Sequence, residues 1–308
     1  MKKFIAETVF LAALLLATIL AVFYMADGKT DSYYSRFTTR RQHSLILGTS
    51  GAAQGLQPAV FDSIIYRNQE HHFFNYSFSL FDSPFGPAYY QSITKKLDPA
   101  VKDGLFVIVV NAWSLCSNLQ QPNDSVNFTE HKGFMGKTKL VNLYPNIPYL
   151  VESYGEPYIN IIRKWRGGPA DMYLHKDGWL QIDVSMDSVA VAERLAVKVE
   201  DYRKNFLPVY KFSSLRLEYL YKTISFLQAH GKVFLVHMPL RQVMSGIEYE
   251  LMPDFDNKMN TLIEKTRIDY LDLKEIQNRY QYVDGNHLYK TSGRMVSDTV
   301  ARWIATKK

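Results

Sequence analysis

Short apolar runs alternate with longer segments of mixed character along most of this chain. Five runs have the composition or the alternation of β-strands, at 45–47, 73–78, 105–110, 232–237 and 268–273. Apolar residues recur at helical spacing in segments 88–97, 189–206, 213–229, 255–266 and 291–305. This succession of strands and helices predicts an α/β fold, a three-layer sandwich with a mostly parallel sheet between two helical layers.

The amino terminus carries a different pattern. Lys2 and Lys3 precede an apolar run that continues to Met25, about the 20 residues that a helix needs to cross a bilayer. Tyr24 occupies a position that cleavage of a signal peptide requires to be small, so the pattern favours an uncleaved signal anchor. Residues 1–26 are therefore predicted to span the inner (cytoplasmic) membrane once, with the lysines inside and the rest of the chain on the extracytoplasmic, periplasmic side.

Two further segments lie outside the regular alternation. Residues 27–42 are polar, aromatic and charged, which suits a juxtamembrane linker. Between about 114 and 208, Pro, Gly and Asn recur without a regular hydrophobic repeat, which indicates an insertion rather than a second domain. One α/β domain is therefore predicted over 43–308, and its insertion is the usual kind of segment to supply substrate contacts.

Composition narrows the possible partners. The net charge of +6 is spread along the chain without a dense block of Lys or Arg, which disfavours nucleic acid and suits anionic polymers or lipids. The single cysteine, Cys116, excludes an intramolecular disulfide and is interpreted as a small buried residue. His71 and His72 resemble a metal pair, but neighbours on a strand point to opposite faces and no third ligand is spaced nearby. Neither a metal nor an organic cofactor is predicted.

The first chemically informative stretch is Gly48-Thr49-Ser50, directly after the first predicted strand. Gly allows a sharp turn there, and a hydroxyl at the carboxyl edge of a parallel sheet lies where such folds bind ligands. Two interpretations are open at this point. Either Ser50 is a nucleophile that needs a base, or Thr49 and Ser50 are helix caps, for which both residue types are preferred.

The second stretch is Asp284-Gly285-Asn286-His287, just before the last predicted helix. A serine hydroxyl is a weak nucleophile until a base removes its proton, and a carboxylate orients and stabilises that base. An Asp three residues before a His can direct both side chains toward one neighbouring strand end. The competing interpretation is that Asp284 caps a turn and His287 is a surface residue.

Together these two stretches resemble the SGNH (GDSL-like) hydrolase superfamily, in which the nucleophile follows the first strand and an Asp-x-x-His loop lies near the carboxyl end. The anchored branch of DltD-like proteins and alginate-type O-acetyltransferase proteins is the most similar. The membrane anchor and the segments around Asn75, Asn111 and Met238-Pro239 carry further similarity. The resemblance covers most of the exported part outside the insertion, and it implies a flavodoxin-like SGNH fold.

The resemblance also implies roles for individual residues. The catalytic triad would be the nucleophile Ser50, the base His287 and the carboxylate Asp284. The oxyanion would be held by the Asn111 side chain and by the backbone N–H groups of Ser50 and Leu80. Asn75 is assigned to substrate binding. Arg241 is a second candidate on its position alone: it follows a strand end, where a cation suits an anionic group, and the competing interpretation is a solvated surface residue. Three features depart from the family pattern: Thr49 replaces Asp or Ser, Leu80 replaces Gly, and Asn111 lacks the surrounding Gly-x-Asn-Asp block.

The implied function is that of an anchored acyl-ester enzyme, an acyltransferase acting on a cell-envelope polysaccharide, a polyol polymer or an acylated small molecule. A membrane-bound O-acyltransferase is the expected partner, because an exported enzyme has no direct access to cytoplasmic acyl donors. Two alternatives stay open. The first is a non-catalytic envelope protein that keeps the fold and binds a polymer or acts as a scaffold. The second is a secreted esterase or lipase.

Overall fold

The computed structural model describes residues 1–67, 70–168, 171–274 and 279–307. The strands in these ranges are β1 Ser44–Leu47, β2 Phe73–Asn75, β3 Gly104–Val109, β4 Cys116–Ser117, β5 Met172–Leu174, β6 Leu180–Ile182, β7 Lys211–Phe212, β8 Gly231–His237 and β9 Asp269–Asp272. The α-helices in the same ranges are α1 Lys2–Tyr24, α2 Ser50–Gly55, α3 Pro58–Phe61, α4 Pro87–Lys96, α5 Thr129–Lys132, α6 Phe134–Lys137, α7 Ile147–Glu152, α8 Ile159–Arg166, α9 Ser188–Asp201, α10 Ser214–Gln228, α11 Gln242–Leu251, α12 Phe255–Thr266 and α13 Lys290–Ala305.

A five-stranded parallel sheet in the order β2-β1-β3-β8-β9 forms the centre of the fold. Its register can be followed from edge to edge along one row. Ile46 of β1 pairs with Asn75 on one side and with Val107 on the other, Val107 pairs with Phe234, and Phe234 pairs with Asp269. Because all five strands run the same way, the turns that follow them meet at one edge of the sheet.

Helices cover both faces of this sheet. On one face, α4, α10 and α12 bury Ile93, Leu220 and Leu262 against the strands. On the other face, α3 and α13 bury Phe61 and Val300. The predicted three-layer α/β architecture with a mostly parallel sheet is therefore confirmed.

Several element bounds differ from the prediction. The predicted helix at 189–206 is α-helical to Asp201 and finishes in a π-helical turn over Tyr202–Phe206. The predicted strand at 73–78 is assigned only as Phe73–Asn75, although the N–H groups of Tyr76 and Phe78 still donate to the β1 segment at the Ile46 and Gly48 carbonyls. The sequence analysis missed α11, because Gly246 and the preceding Pro239 favour a loop.

The structure corrects the predicted linker at 27–42, which is built into the domain. Tyr34 and Phe37 belong to the main hydrophobic core, and the Arg36 side chain is 0% exposed. Arg36 donates hydrogen bonds to the backbone carbonyls of Asn75, Gly178 and Ser32. The segment therefore connects strand β2 to the β5–β6 hairpin instead of separating the domain from the anchor.

The insertion at about 114–208 also packs onto the domain rather than beside it. Tyr149, Leu150 and Ile161 join the main core, and the β5–β6 hairpin contacts the helix that follows β1. Trp179 of this hairpin donates its indole N–H to the carbonyl of Gln54 in α2, at 2.8 Å. The insertion therefore contributes to the part of the domain that carries Ser50.

Helix α1 is long and apolar enough to span a membrane, and most of its side chains are exposed. Its carboxyl end is fixed to the domain, because the Phe23 ring packs edge-on against Tyr158 with centroids 5.1 Å apart. The Tyr144 hydroxyl also donates to the Tyr24 carbonyl at 2.7 Å.

Candidate active site

The turn after β1 sets the position of Ser50. Gly48 has φ +148°, and a Cβ on it would lie 2.9 Å from the Val109 Cβ and 3.0 Å from the Val109 carbonyl oxygen. This position therefore requires glycine both for its backbone conformation and for its close contact with β3. The Gly48 carbonyl accepts a hydrogen bond from Ser83 Oγ at 2.8 Å. The turn is rigid, and it places Ser50 as the first residue of α2.

The structure separates the two roles that the sequence left open for Thr49 and Ser50. Thr49 is the N-cap residue of α2, but its side chain makes no capping hydrogen bond. Its backbone carbonyl accepts from the N–H groups of Ala52 and Ala53, at 3.0 Å each. The Ser50 hydroxyl instead faces His287, so helix capping does not account for the serine side chain.

Ser50, His287 and Asp284 form one hydrogen-bonded series. Ser50 Oγ lies 2.8 Å from His287 Nε2, and His287 Nδ1 lies 2.8 Å from Asp284 Oδ2. The other carboxylate oxygen of Asp284 accepts from the backbone N–H groups of Asn286 and His287, at 3.1 Å each. The structure thus brings the three predicted triad residues together, within the separation that a nucleophile, base and orienting carboxylate require.

The carboxylate of Asp284 is held in its charged form. Burial alone would raise the pKa of Asp284, but His287 and Lys198 outweigh this effect and hold that pKa well below its usual range. Lys198 contributes directly, with Nζ 3.2 Å from Oδ2. An ionised Asp284 can stabilise the imidazolium that forms when His287 accepts a proton.

Helix α9 of the insertion braces the loop that carries Asp284 and His287. Arg194 Nε donates to the Val283 carbonyl at 2.8 Å, and Lys198 lies one turn further along the same helix. Gly285 has φ +107°, and a Cβ there would lie 2.7 Å from Leu195 Cδ1. The sequence analysis missed these supports. The available signal was the pair of cations four residues apart on one amphipathic helix of the insertion.

A small pocket of about 40 Å³ opens beside Ser50. Its lining combines the apolar side chains of Leu80, Val109, Trp113, Tyr202, Met238 and Leu240 with polar ones that include Asn111, His237 and Asn286. The Trp113 and Tyr202 rings pack edge-to-face with centroids 4.8 Å apart. The pocket therefore offers apolar contact surface and polar groups next to a hydroxyl and an imidazole.

The two oxyanion residues predicted from the resemblance, Asn111 and Leu80, both line this pocket. Asn111 Oδ1 accepts the Ser114 N–H at 2.8 Å, which leaves Nδ2 as the donor of that side chain. Within the described residues, neither Asn111 Nδ2 nor the Leu80 N–H has a protein acceptor. The Ser50 N–H, at the start of α2, lacks an intrahelical partner. Three donors are thus available around the pocket.

The structure corrects the assignment of Asn75 to substrate binding. Asn75 is 0% exposed and lies outside the pocket lining. Its Nδ2 donates to the carbonyls of Ala52 and Leu56, at 2.8 Å each, and its Oδ1 accepts the Ser77 N–H. The amide nitrogen holds α2 against the end of β2 and the amide oxygen fixes the backbone that follows β2, so both polar atoms already have partners within the protein.

Arg241 also lies outside the pocket lining. Its backbone N–H donates to the Gly285 carbonyl at 3.0 Å and thereby ties the turn after β8 to the loop of Asp284 and His287. The predicted contact between its side chain and an anionic substrate has no support in this arrangement. The residue contributes to the site through its backbone.

A buried charge pair that the sequence analysis missed lies under the Asn111 turn. Glu248 Oε1 accepts the Ala112 N–H at 2.6 Å and lies 3.3 Å from His237 Nε2. His237 Nδ1 is 3.5 Å from an Asp272 carboxylate oxygen. Burial disfavours the charged ring, but Glu248 and Asp272 outweigh it and raise the pKa of His237 to about 9. The pair fixes the backbone next to Asn111.

This pair predicts a pH-dependent loss of stability. Because the folded pKa of His237 lies above its ordinary value of about 6.5, its contribution is complete below that value and disappears as the pH rises through about 9. Glu248→Gln removes the main anionic partner. We expect it to lower the free energy of unfolding by about 2–3 kcal/mol at pH 6 and by much less at pH 10.

Urea unfolding followed across this pH range measures the difference. Glu250→Gln is the matched control, since Glu250 is exposed on the same helix and pairs with Arg203 at the surface. Its effect should be small at every pH. An equal loss for Glu248→Gln at pH 6 and at pH 10 would contradict the assignment of a charged His237.

Fold and site together define an α/β protein in which a serine, a histidine and an aspartate from opposite ends of the chain form one hydrogen-bonded series. No protein-family model matches the chain, and no curated protein matches it. Among solved structures, the chain is similar to Est24, a carbohydrate acetylesterase from Sinorhizobium meliloti. That similarity has a TM-score of 0.36 and 10% sequence identity, and it covers 87% of this chain and 100% of Est24.

Proposed function

We propose that this protein is a membrane-anchored serine acyl-ester enzyme of SGNH type, and that it transfers a short acyl group to a hydroxyl of a cell-envelope polysaccharide or polyol polymer. The observation that carries the proposal is the pair of 2.8 Å hydrogen bonds from Ser50 to His287 and from His287 to Asp284. The choice of transfer over hydrolysis rests on the resemblance of the sequence to the anchored DltD-like branch, not on the residues of the site themselves.

In the proposed mechanism, Ser50 Oγ attacks the carbonyl carbon of an acyl ester or thioester while His287 Nε2 takes the hydroxyl proton. Asp284 stabilises the imidazolium, and the N–H groups of Ser50 and Leu80 with Asn111 Nδ2 face the oxyanion. The tetrahedral intermediate expels the leaving alcohol or thiol, which takes the proton from His287. An acceptor hydroxyl then gives its proton to His287 and attacks the acyl-serine carbonyl; as the bond to Ser50 Oγ breaks, His287 returns that proton to Ser50 Oγ. Water in place of that hydroxyl gives hydrolysis.

The size of the pocket supports a short acyl group. A recess of about 40 Å³ has room for a group such as the methyl of an acetyl ester. A longer chain held inside the recess would press against its walls, which include the packed rings of Trp113 and Tyr202. Displacing well-packed aromatic rings is unfavourable, so we expect acetyl donors to react faster than hexanoyl donors.

The junction between α1 and the domain supports an uncleaved anchor. Phe23 is 3% exposed and Ala26 is 0% exposed, and both belong to the main core. Cleavage after Ala26 would remove Phe23 from that core together with its edge-on contact to Tyr158. A bilayer around α1 would cover the apolar side chains that are exposed along its length.

A membrane-bound O-acyltransferase is the proposed source of the acyl group. On the extracytoplasmic side, the protein would receive acyl groups that the partner carries across the bilayer, and the envelope polymer would be the acceptor. The net charge of +6 suits an anionic polymer. Neither the partner nor the polymer is needed for the first half-reaction, which can therefore be tested on its own.

The test uses full-length protein in detergent with p-nitrophenyl acetate as donor. We expect a fluorophosphonate probe to label Ser50, and nitrophenol release to be accompanied by acetyl esters on an added envelope polysaccharide. If acetate is released only to water, at the same rate with and without the polysaccharide, the protein is an esterase rather than a transferase. If folded protein shows neither labelling nor turnover, the proposal that it is an enzyme is contradicted, and the alternative of a non-catalytic scaffold protein is favoured.

A further inference from the structure

A cluster of two histidines and an aspartate lies at the edge of the sheet opposite Ser50. His43 and Asp103 directly precede β1 and β3, and His71 lies two residues before β2. These three strands are neighbours in the order β2-β1-β3. Parallel neighbours begin at the same edge, so residues that are far apart in the chain meet there. Spacing along the sequence indicated no further ligand near His71. The topology of the sheet brings two candidate ligands, His43 and Asp103, next to it.

The three side chains already lie close together. The His43 and His71 rings are stacked, with centroids 3.8 Å apart and planes inclined by 11°. His43 Nε2 is 3.0 Å from Asp103 Oδ1, and one ligand atom from each residue lies within 4.8 Å of the others. Ligand atoms around a tetrahedral zinc ion are about 3.4 Å apart, given metal–ligand distances near 2.1 Å. Rotations of the exposed side chains of His71 and Asp103 can close the remaining gap.

A second layer of hydrogen bonds orients His43. Its Nδ1 lies 3.1 Å from Ser44 Oγ, and Ser44 is 0% exposed. Ser44 Oγ also accepts the Leu105 N–H at 2.9 Å and lies 2.6 Å from the Tyr66 hydroxyl. If Nδ1 carries the proton and donates it to Ser44, the lone pair of Nε2 points toward Asp103. Such an outer partner is what metal-bound histidines in proteins typically have.

We propose that His43, His71 and Asp103 bind a divalent transition-metal ion such as Zn²⁺, with water in the fourth position. Two imidazoles and a carboxylate are a donor set that zinc accepts. The ion would join the starts of β1, β2 and β3 and fix the chain before β2. Because the cluster lies at the far edge of the sheet from Ser50, this proposal stands independently of the proposed enzymatic function.

The test is a zinc titration of the chelator-treated, full-length protein in detergent, purified without a histidine tag. Wild type is expected to bind one equivalent of Zn²⁺ at this site and to show a higher Tm when it is bound. Binding of Co²⁺ in its place should give the visible absorption of a tetrahedral site. His71→Ala removes a ligand without disturbing the core, since His71 is exposed. We expect it to weaken binding by more than the 10- to 100-fold that the loss of an outer-shell partner costs.

His72→Ala is the matched control, because His72 is the next residue and is exposed but pairs with Asp62 at 3.1 Å. It should retain the affinity of wild type, whereas Asp103→Asn should behave like His71→Ala. The proposal is overturned if wild type binds no zinc, or if His71→Ala and His72→Ala change the affinity equally.

Discussion

Ser50→Ala and His287→Ala are each expected to lower the kcat for p-nitrophenyl acetate by about 10⁴-fold or more. Ser50→Ala removes the atom that would form the acyl intermediate, and His287→Ala removes the base 2.8 Å from it. Because the two residues would act as one unit, their effects should not add. The double variant should therefore retain about the same residual rate as either single variant.

Steady-state kinetics on protein of unchanged Tm measures this effect. Ser63→Ala is a suitable control, because the Ser63 hydroxyl is exposed and donates only to the carbonyl of Val60 in its own turn. It should keep the rate of wild type. If Ser50→Ala also kept that rate, the turnover would come from another group, and the hydrogen bonds of the triad would have only a structural role.

The central part of the site could be predicted from sequence because strand topology determines it. Ser50 and His287 are 237 positions apart in the sequence. Ser50 follows the first strand and His287 precedes the last helix, and the positions of both elements in an α/β fold are restricted. A buried apolar run that ends in Gly48 places the next residues at the carboxyl edge. The loop before the last helix reaches the same edge. Neither conclusion required knowledge of side-chain packing.

The surroundings of the triad could not be predicted in the same way. Lys198 and Arg194 come from the predicted helix at 189–206 within the insertion, and its helical pattern does not indicate which element the helix approaches. Asn75 is the last residue of β2, a position that suggests a ligand contact, but the direction of its amide depends on the segment of α2, to whose carbonyls at Ala52 and Leu56 it donates. Contacts of this kind depend on how segments distant in sequence pack together. A local sequence pattern does not predict that packing.

The segment at 27–42 illustrates the same limit most clearly. Its mixed polar and aromatic composition is typical of a linker, and nothing in its sequence indicates that Arg36 would be buried. Arg36 is accommodated because the end of β2 and the β5–β6 hairpin both direct carbonyl groups toward it. Nε donates to the carbonyls of Asn75 and Gly178 at 3.1 Å each, and Nη2 donates to Gly178 at 2.7 Å.

Arg36→Leu is therefore expected to lower the free energy of unfolding by about 3–5 kcal/mol, because it leaves several buried carbonyls without a donor. Arg36→Lys should recover only part of this loss, since one ammonium group cannot reproduce the planar set of guanidinium donors. Urea unfolding of the full-length protein in detergent, followed by tryptophan fluorescence, measures both. Trp179, in the hairpin that Arg36 contacts, should report the change.

Arg40→Leu is the control for Arg36→Leu, because it removes the same charge from an exposed position of the same segment. Its effect should stay within about 0.5 kcal/mol. Equal stability of the two variants would mean that residues 27–42 behave as a linker after all. A loss confined to Arg36→Leu would mean that residues 27–42 are part of the domain. Through the Asn75 amide, it would then also support the helix that begins at Ser50.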